Sequence, residues 1–224
     1  MSLRQLLFLA ALLGTSVAAQ GVESWQSELA TMQLSTNRIH FSKAEPARAI
    51  LQALKPNPVV KAIVIMPSAT DELYFNDRGT TVFTNTPTLF DAVRELTNHT
   101  SIRATFRPPF LLLGETNDCK ETSMIPANFV TFESLRQKPF TSPWLMIDKE
   151  WDHLYPTLSR YLGVKLSPAL GSRDAWHFYR VYFAAHNLNA LEAVELVSLS
   201  TQTEVRGGKN RLNFVRRPPL SGGK

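Results

Sequence analysis

Cysteine is nearly missing from this chain. Cys119 is the only one in 224 residues, so no disulfide can form within the chain and the fold must stand on its core. A lone thiol in an oxidising compartment can bridge two chains; the default for Cys119, in the polar stretch 115–121 that reads as a loop, is a bystander. Long apolar runs are missing beyond the N-terminus, which excludes any further membrane-spanning helix. Motifs that force a mechanism are missing as well. The sequence has no G-x-S-x-G elbow, no H-E-x-x-H, no phosphate-cradling glycine loop ahead of a helix and no cysteine pair for zinc. Gly207-Gly208-Lys209 lacks the rest of a P-loop. No cofactor and no metal is therefore expected.

What is present is ordinary globular composition, 44% apolar and 19% charged, with a net charge of +5. The basic excess gathers near the C-terminus, in Arg206, Lys209, Arg211, Arg216, Arg217 and Lys224. It reads as a solubilising end, and with no recognised binding motif beside it nucleic acid is not an expected partner. Residues 1–19 read as a secretory signal peptide. Arg4 precedes the apolar run Leu6 to Leu13, and Val17 and Ala19 stand at −3 and −1 of a cleavage site before Gln20. The expected location is periplasmic or secreted.

The stretch from Thr88 to Leu113 is echoed from Asn189 to Val215. Ala92 and Val93 fall on Ala193 and Val194 at an offset of 101 residues (193 − 92), and Thr100 falls on Thr201. Leu89, Ala92, Val93 and Leu96 make one helix face, and Ala190, Ala193, Val194 and Val197 repeat it. Around each helix the pattern predicts strand, helix, strand, strand, helix, strand, strand. The first copy has strands at 38–41, 59–66, 80–84, 101–106 and 110–113, with a helix opened by Ser42 and Glu45 in capping-box spacing. The second has strands at 144–147, 164–167, 176–184, 203–206 and 211–215, a helix capped by Asp148 and another capped by Asn187 or Asn189. The fold class is thus α+β, two tandem pseudo-repeats with small sheets packed on two helices each. The expected divisions are a signal at 1–19, a lead-in at 20–37, modules at 38–114 and 143–216, a linker at 115–142 and a flexible basic tail at 217–224.

Val82, Leu89, Ala92, Val93, Leu96 and Thr100 stand in the places of a pattern that runs roughly F-x-x-x-x-L-x-x-A-L-x-x-L-x-x-x-T, as do Phe183, Ala190, Ala193, Val194, Val197 and Thr201. That pattern resembles the short N-terminal domain of secretins and TonB-dependent receptors, and the C-terminal domain of FecR-type regulators. The resemblance implies a non-enzymatic envelope module that docks onto a partner protein; the sequence departs from the family in showing no outer-membrane barrel or secretin domain, so a free-standing module is expected. Docking is expected at open sheet edges. The two closing strands are the candidate edges, and they carry Phe110, Leu112, Arg211, Leu212 and Phe214.

Two alternatives come from other classes. Asp148, Glu150, Asp152 and His153 form the densest polar cluster, as an acid–base pair of a secreted hydrolase would need. The competing account is a helix start favoured by the macrodipole. Phe75, Trp144, Trp151, Trp176, Phe178 and Tyr182 could line a glycan or small-ligand groove, or belong to the core. His99 and His186 are expected at the surface, and Asn98-His99-Thr100 matches a glycosylation sequon.

Overall fold

The computed structural model describes residues 26–41, 45–54, 59–73, 78–115, 135, 138, 149–150, 156, 158–160, 162–168, 180–201, 203–208 and 211–216. The signal segment, Cys119, the strand expected at 144–147, Asp148, Asp152, His153 and the basic tail lie outside them. So do Phe75, Trp144, Trp151, Trp176 and Phe178.

The class is α+β. The first half contains β1 (Arg38–Phe41), α1 (Pro46–Ala53), β2 (Ala62–Ile65), a short α2 (Thr70–Leu73), β3 (Gly79–Val82), α3 (Leu89–Thr97), β4 (Arg103–Arg107) and β5 (Phe110–Gly114). The second contains β6 (Lys149–Glu150), β7 (Lys165–Pro168), β8 (Arg180–Ala185), α4 (Ala190–Ser200), β9 (Thr203–Gly208) and β10 (Arg211–Arg216).

Both halves pair their strands by one scheme. β1 runs antiparallel to β3, and β6 to β8. β2 lies parallel to β5, which forms a hairpin with β4; likewise β7 lies parallel to β10, which forms a hairpin with β9. The halves do not keep separate sheets, however. β8 also pairs antiparallel with β2, from Ala62↔Ala185 to Ile65↔Tyr182. The result is a five-stranded sheet ordered β4-β5-β2-β8-β6 that takes strands from both halves.

That sheet has a core on each face. Ile63, Ile65, Leu111, Leu113, Tyr182 and Ala184 join the core built by β1, α1 and α3. Ala62, Val64, Phe110, Leu112, Phe183 and Ala185 join the core built by α4, Leu158, Leu162, β7, β9 and β10. The period of two along each strand sends alternate residues to opposite cores, which is why AIVI and FLLLG are apolar throughout. The layers therefore run β1-β3, helices, shared sheet, helices, β7-β10-β9.

The helices show the same logic. α4 lies between two sheets and is buried almost all round, from Ala190 to Ser200. Its polar exceptions are satisfied locally: Ser198 Oγ donates to Thr203 O at 2.6 Å, and Thr201 Oγ1 to Val197 O at 2.7 Å. α3 buries only Leu89, Ala92, Val93 and Leu96, the face expected from the sequence. Both start in a capping box. Thr88 N–H donates to Asp91 Oδ2 at 2.9 Å while Asp91 N–H donates to Thr88 Oγ1 at 3.3 Å. Asn189 N–H donates to Glu192 Oε2 at 2.7 Å while Glu192 N–H donates to Asn189 Oδ1 at 2.8 Å.

Three local expectations need correction. The first helix starts at Pro46 with Glu45 as its N-cap, not Ser42, and the Glu45 side chain pairs with Arg48 instead of capping. Lys149 and Glu150 are in a strand where a helix start was expected, because β8 offers them a pairing edge. In the stretch read as a linker, Leu135 is 3% exposed and belongs to the second core, and Lys138 O accepts the N–H of Ala190 at 2.9 Å.

Candidate docking edges

The five residues expected at open edges are not at edges. β5 lies between β4 and β2, and β10 lies between β7 and β9. Phe110, Leu112, Leu212 and Phe214 are buried core residues, each at most 2% exposed; Arg211 is exposed. The error has a physical source. A closing strand need not end its sheet: β5 and β10 lie back beside the earlier parallel β2 and β7, which cover their far sides.

Among the described residues the edges are β4 and β6 of the shared sheet, β7 and β9 of the three-stranded sheet, and β1 and β3 of the two-stranded one. Natural edges discourage chance pairing with charge, proline or shortness. β4 carries Arg103 and Arg107, and β9 carries Glu204 and Arg206 joined at 3.2 Å. β7 has Lys165 and Pro168, and Pro168 has no N–H to donate. β6 is two residues long, both charged, and β1 carries Arg38. β3, Gly79-Thr80-Thr81-Val82, has neither charge nor proline.

Val82, on this edge, is 65% exposed, the large apolar side chain that stands out among the described residues. The sequence pattern put it in a core place matching Phe183, which is 1% exposed. Phe83, one residue on, packs against the first core instead. By burial the match to Phe183 passes to Phe83, which stands six residues ahead of Leu89 where Phe183 stands seven ahead of Ala190. Val82 then matches Tyr182, which points away from α4 and is buried, 5% exposed, in the first half's core.

Beside the apolar contacts of the shared sheet, two charged pairs join the halves. Lys61 Nζ donates to Glu192 Oε1 at 2.7 Å and Oε2 at 3.0 Å, and Arg107 lies 3.9 Å from Glu195. Burial raises the Glu195 carboxyl above its ordinary range, opposed by the Arg107 charge and assisted by Glu192. In α3 the Asp91 carboxyl is lowered, first by the Thr88 backbone N–H it accepts. His186 is half-buried rather than a surface residue: its Nε2 is 3.0 Å from Val60 O, and its N–H donates to Lys61 O at 2.9 Å. His99 is exposed, as expected, and Asn98 is exposed beside it. No family model, curated protein or solved structure matches the chain.

Of the acid–base cluster, Glu150 alone is among the described residues, and it is in β6. Among the described residues no group of three or more His, Cys, Asp or Glu is placed to hold a metal ion. No helix among them is long and apolar enough to cross a membrane. Of the aromatic candidates Tyr182 is described, and it is core. The feature the sequence reading missed is the β3 edge. Its signal was a run of β-branched residues without charge, Thr80, Thr81 and Val82, lying just before the Thr88 cap.

Proposed function

We propose that the chain is an exported, non-enzymatic docking module of the cell envelope, similar in kind to the short domains of secretins and TonB-dependent receptors. It works by letting an extended segment of another polypeptide add to an open strand edge. The edge in question is β3, in place of β5 and β10. One observation carries this reading: β3 is the described edge strand without charge or proline, and it exposes Val82. The export half of the reading rests on residues 1–19. Main-chain hydrogen bonds along such an edge supply affinity, and the side chains on alternate positions supply selectivity.

The test is recovery of cross-linked partners from the envelope fraction with tagged wild type and Val82→Pro. A reproducible envelope protein captured by wild type and lost with the folded variant supports the reading. Equal recovery with both overturns it for this edge.

A further inference from the structure

On the docking reading just given, we infer that the occupant of the β3 edge is β3 of a second copy, giving a two-fold dimer with one continuous sheet β1-β3-β3-β1.

The backbone supplies the donors and acceptors. Phe83 N–H donates to Asn37 O at 2.8 Å, continuing the register in which Thr81 stands opposite Ile39. Bonded pairs alternate along an antiparallel ladder, so the intervening Thr80 and Val82 direct their N–H and C=O groups away from β1. Antiparallel pairing that sets Thr80 against the partner's Val82 puts the two-fold axis at Thr81. Each such pair exchanges two bonds, about four in all.

The second half shows the same edge already in use. β8 corresponds to β3, and its side away from β6 is taken antiparallel by β2. Its outward residue Tyr182 is 5% exposed, whereas the corresponding Val82 is 65% exposed. Among the described residues the first half thus leaves open an edge that the second half closes within the chain.

The choice of partner strand follows from charge. An Arg, Lys, Glu or Pro comes with β1, β4, β6, β7 or β9. β3 set against itself brings none, and an isologous antiparallel contact closes on two copies instead of growing. The flanking β1 strands add Arg38, and Glu95, whose Oε1 accepts the Thr81 hydroxyl at 3.4 Å, brings a like charge beside the axis on an exposed side chain that can turn to solvent. Three strand spacings separate the two β1 strands, roughly 14 Å, beyond the screening length of about 8 Å at physiological salt. The contact is small, so the dimer belongs among weak, concentration-dependent associations.

Sedimentation equilibrium of the purified chain tests this, with Val82→Pro and Val82→Lys alongside. Proline at 82 removes an N–H that points away from β1, and lysine installs the guard this edge lacks. The mass of wild type should double with concentration, with a midpoint on the order of 100 μM for so small a contact. Both variants should stay at monomer mass with unchanged circular dichroism and melting temperature. A wild type that stays monomeric to about 1 mM, where so weak a contact would form, overturns the self-pairing, as does a dimer that survives both folded variants. If wild type is monomeric and Val82→Pro still loses the envelope partner, the docking edge stands and self-pairing falls. If wild type is monomeric and partner recovery is unchanged, both fall.

Discussion

Lys61, just ahead of β2, grips the carboxylate of Glu192 on α4, 131 residues later in the chain, at 2.7 Å. The same carboxylate receives the Asn189 N–H and completes the capping box of α4. One side chain therefore starts a helix and fastens it to the other half of the molecule.

Glu192→Ala should cost more than Asp91→Ala. Asp91 serves its cap and an exposed partner, Arg94, whose side chain is 68% exposed, so its loss should cost about 1 kcal/mol. Loss of Glu192 also leaves the Lys61 ammonium, 26% exposed, without its partner. The cost should rise to roughly 2 kcal/mol. Urea denaturation measures both, and a double-mutant cycle with Lys61→Met should show coupling at Glu192 and none at Asp91.

Charges placed at Leu112 or Phe214 should unfold the protein instead of testing a docking edge. Both side chains are at most 1% exposed in the second core, and an unpaired buried charge costs upwards of about 3 kcal/mol. Leu112→Lys and Phe214→Lys should lose the cooperative thermal transition. Retention of a wild-type melting temperature would contradict the buried position of β5 and β10.

Acid should act on the two carboxylates in opposite senses. Asp91 is lowered from its ordinary 3.8, so its contribution to stability is present above that value and is lost as pH falls through the folded-state pKa. Glu195 is raised from 4.5, so its contribution is present below that value and is lost as pH rises through the folded-state pKa. Melting temperatures between pH 2 and 8 should therefore show Asp91→Asn least harmful at the acid end. Glu195→Gln should compare best with wild type near neutrality.

Gly163→Ala should destabilise by about 1 kcal/mol through backbone strain alone. Its φ is +67°, and an added Cβ would lie 3.6 Å from Lys138 Nζ, which is ordinary contact. A cost well above this, measured by denaturant titration, would point to a clash where the structure has room.

The α+β class and most strands were legible because the period of hydrophobic residues is a local property. Leu89, Ala92, Val93 and Leu96 announce their helix face without reference to anything distant. Gly163 follows helical Leu162 for a local reason too, since only glycine takes its left-handed φ freely. The partner of β2 was not legible. Ala62 to Ile65 is apolar at every position, which says that both faces are covered but not that β8 is alongside. The all-apolar FLLLG of β5 carries the same message, and it does not say which strand covers the far side. Val82 falls on the other face for a different reason: a one-residue shift in the spacing from strand to helix exchanges the two faces of a strand. A capping box survives such slips, so both helix starts echo each other across the chain.

The pairing of β2 with β8 sets an order of events for a newly made chain. Ala62, Val64, Phe110 and Leu112 are synthesised long before Phe183 and Ala185, their neighbours in the second core. Until the C-terminal half arrives, the first half presents a bare greasy surface to whatever surrounds it. Contacts this distant in sequence form slowly and leave the early part prone to aggregation. A chain threaded N-terminus first through an export channel would meet that interval on the far side. It would need a holding chaperone there, or a release fast enough that its two halves emerge nearly together.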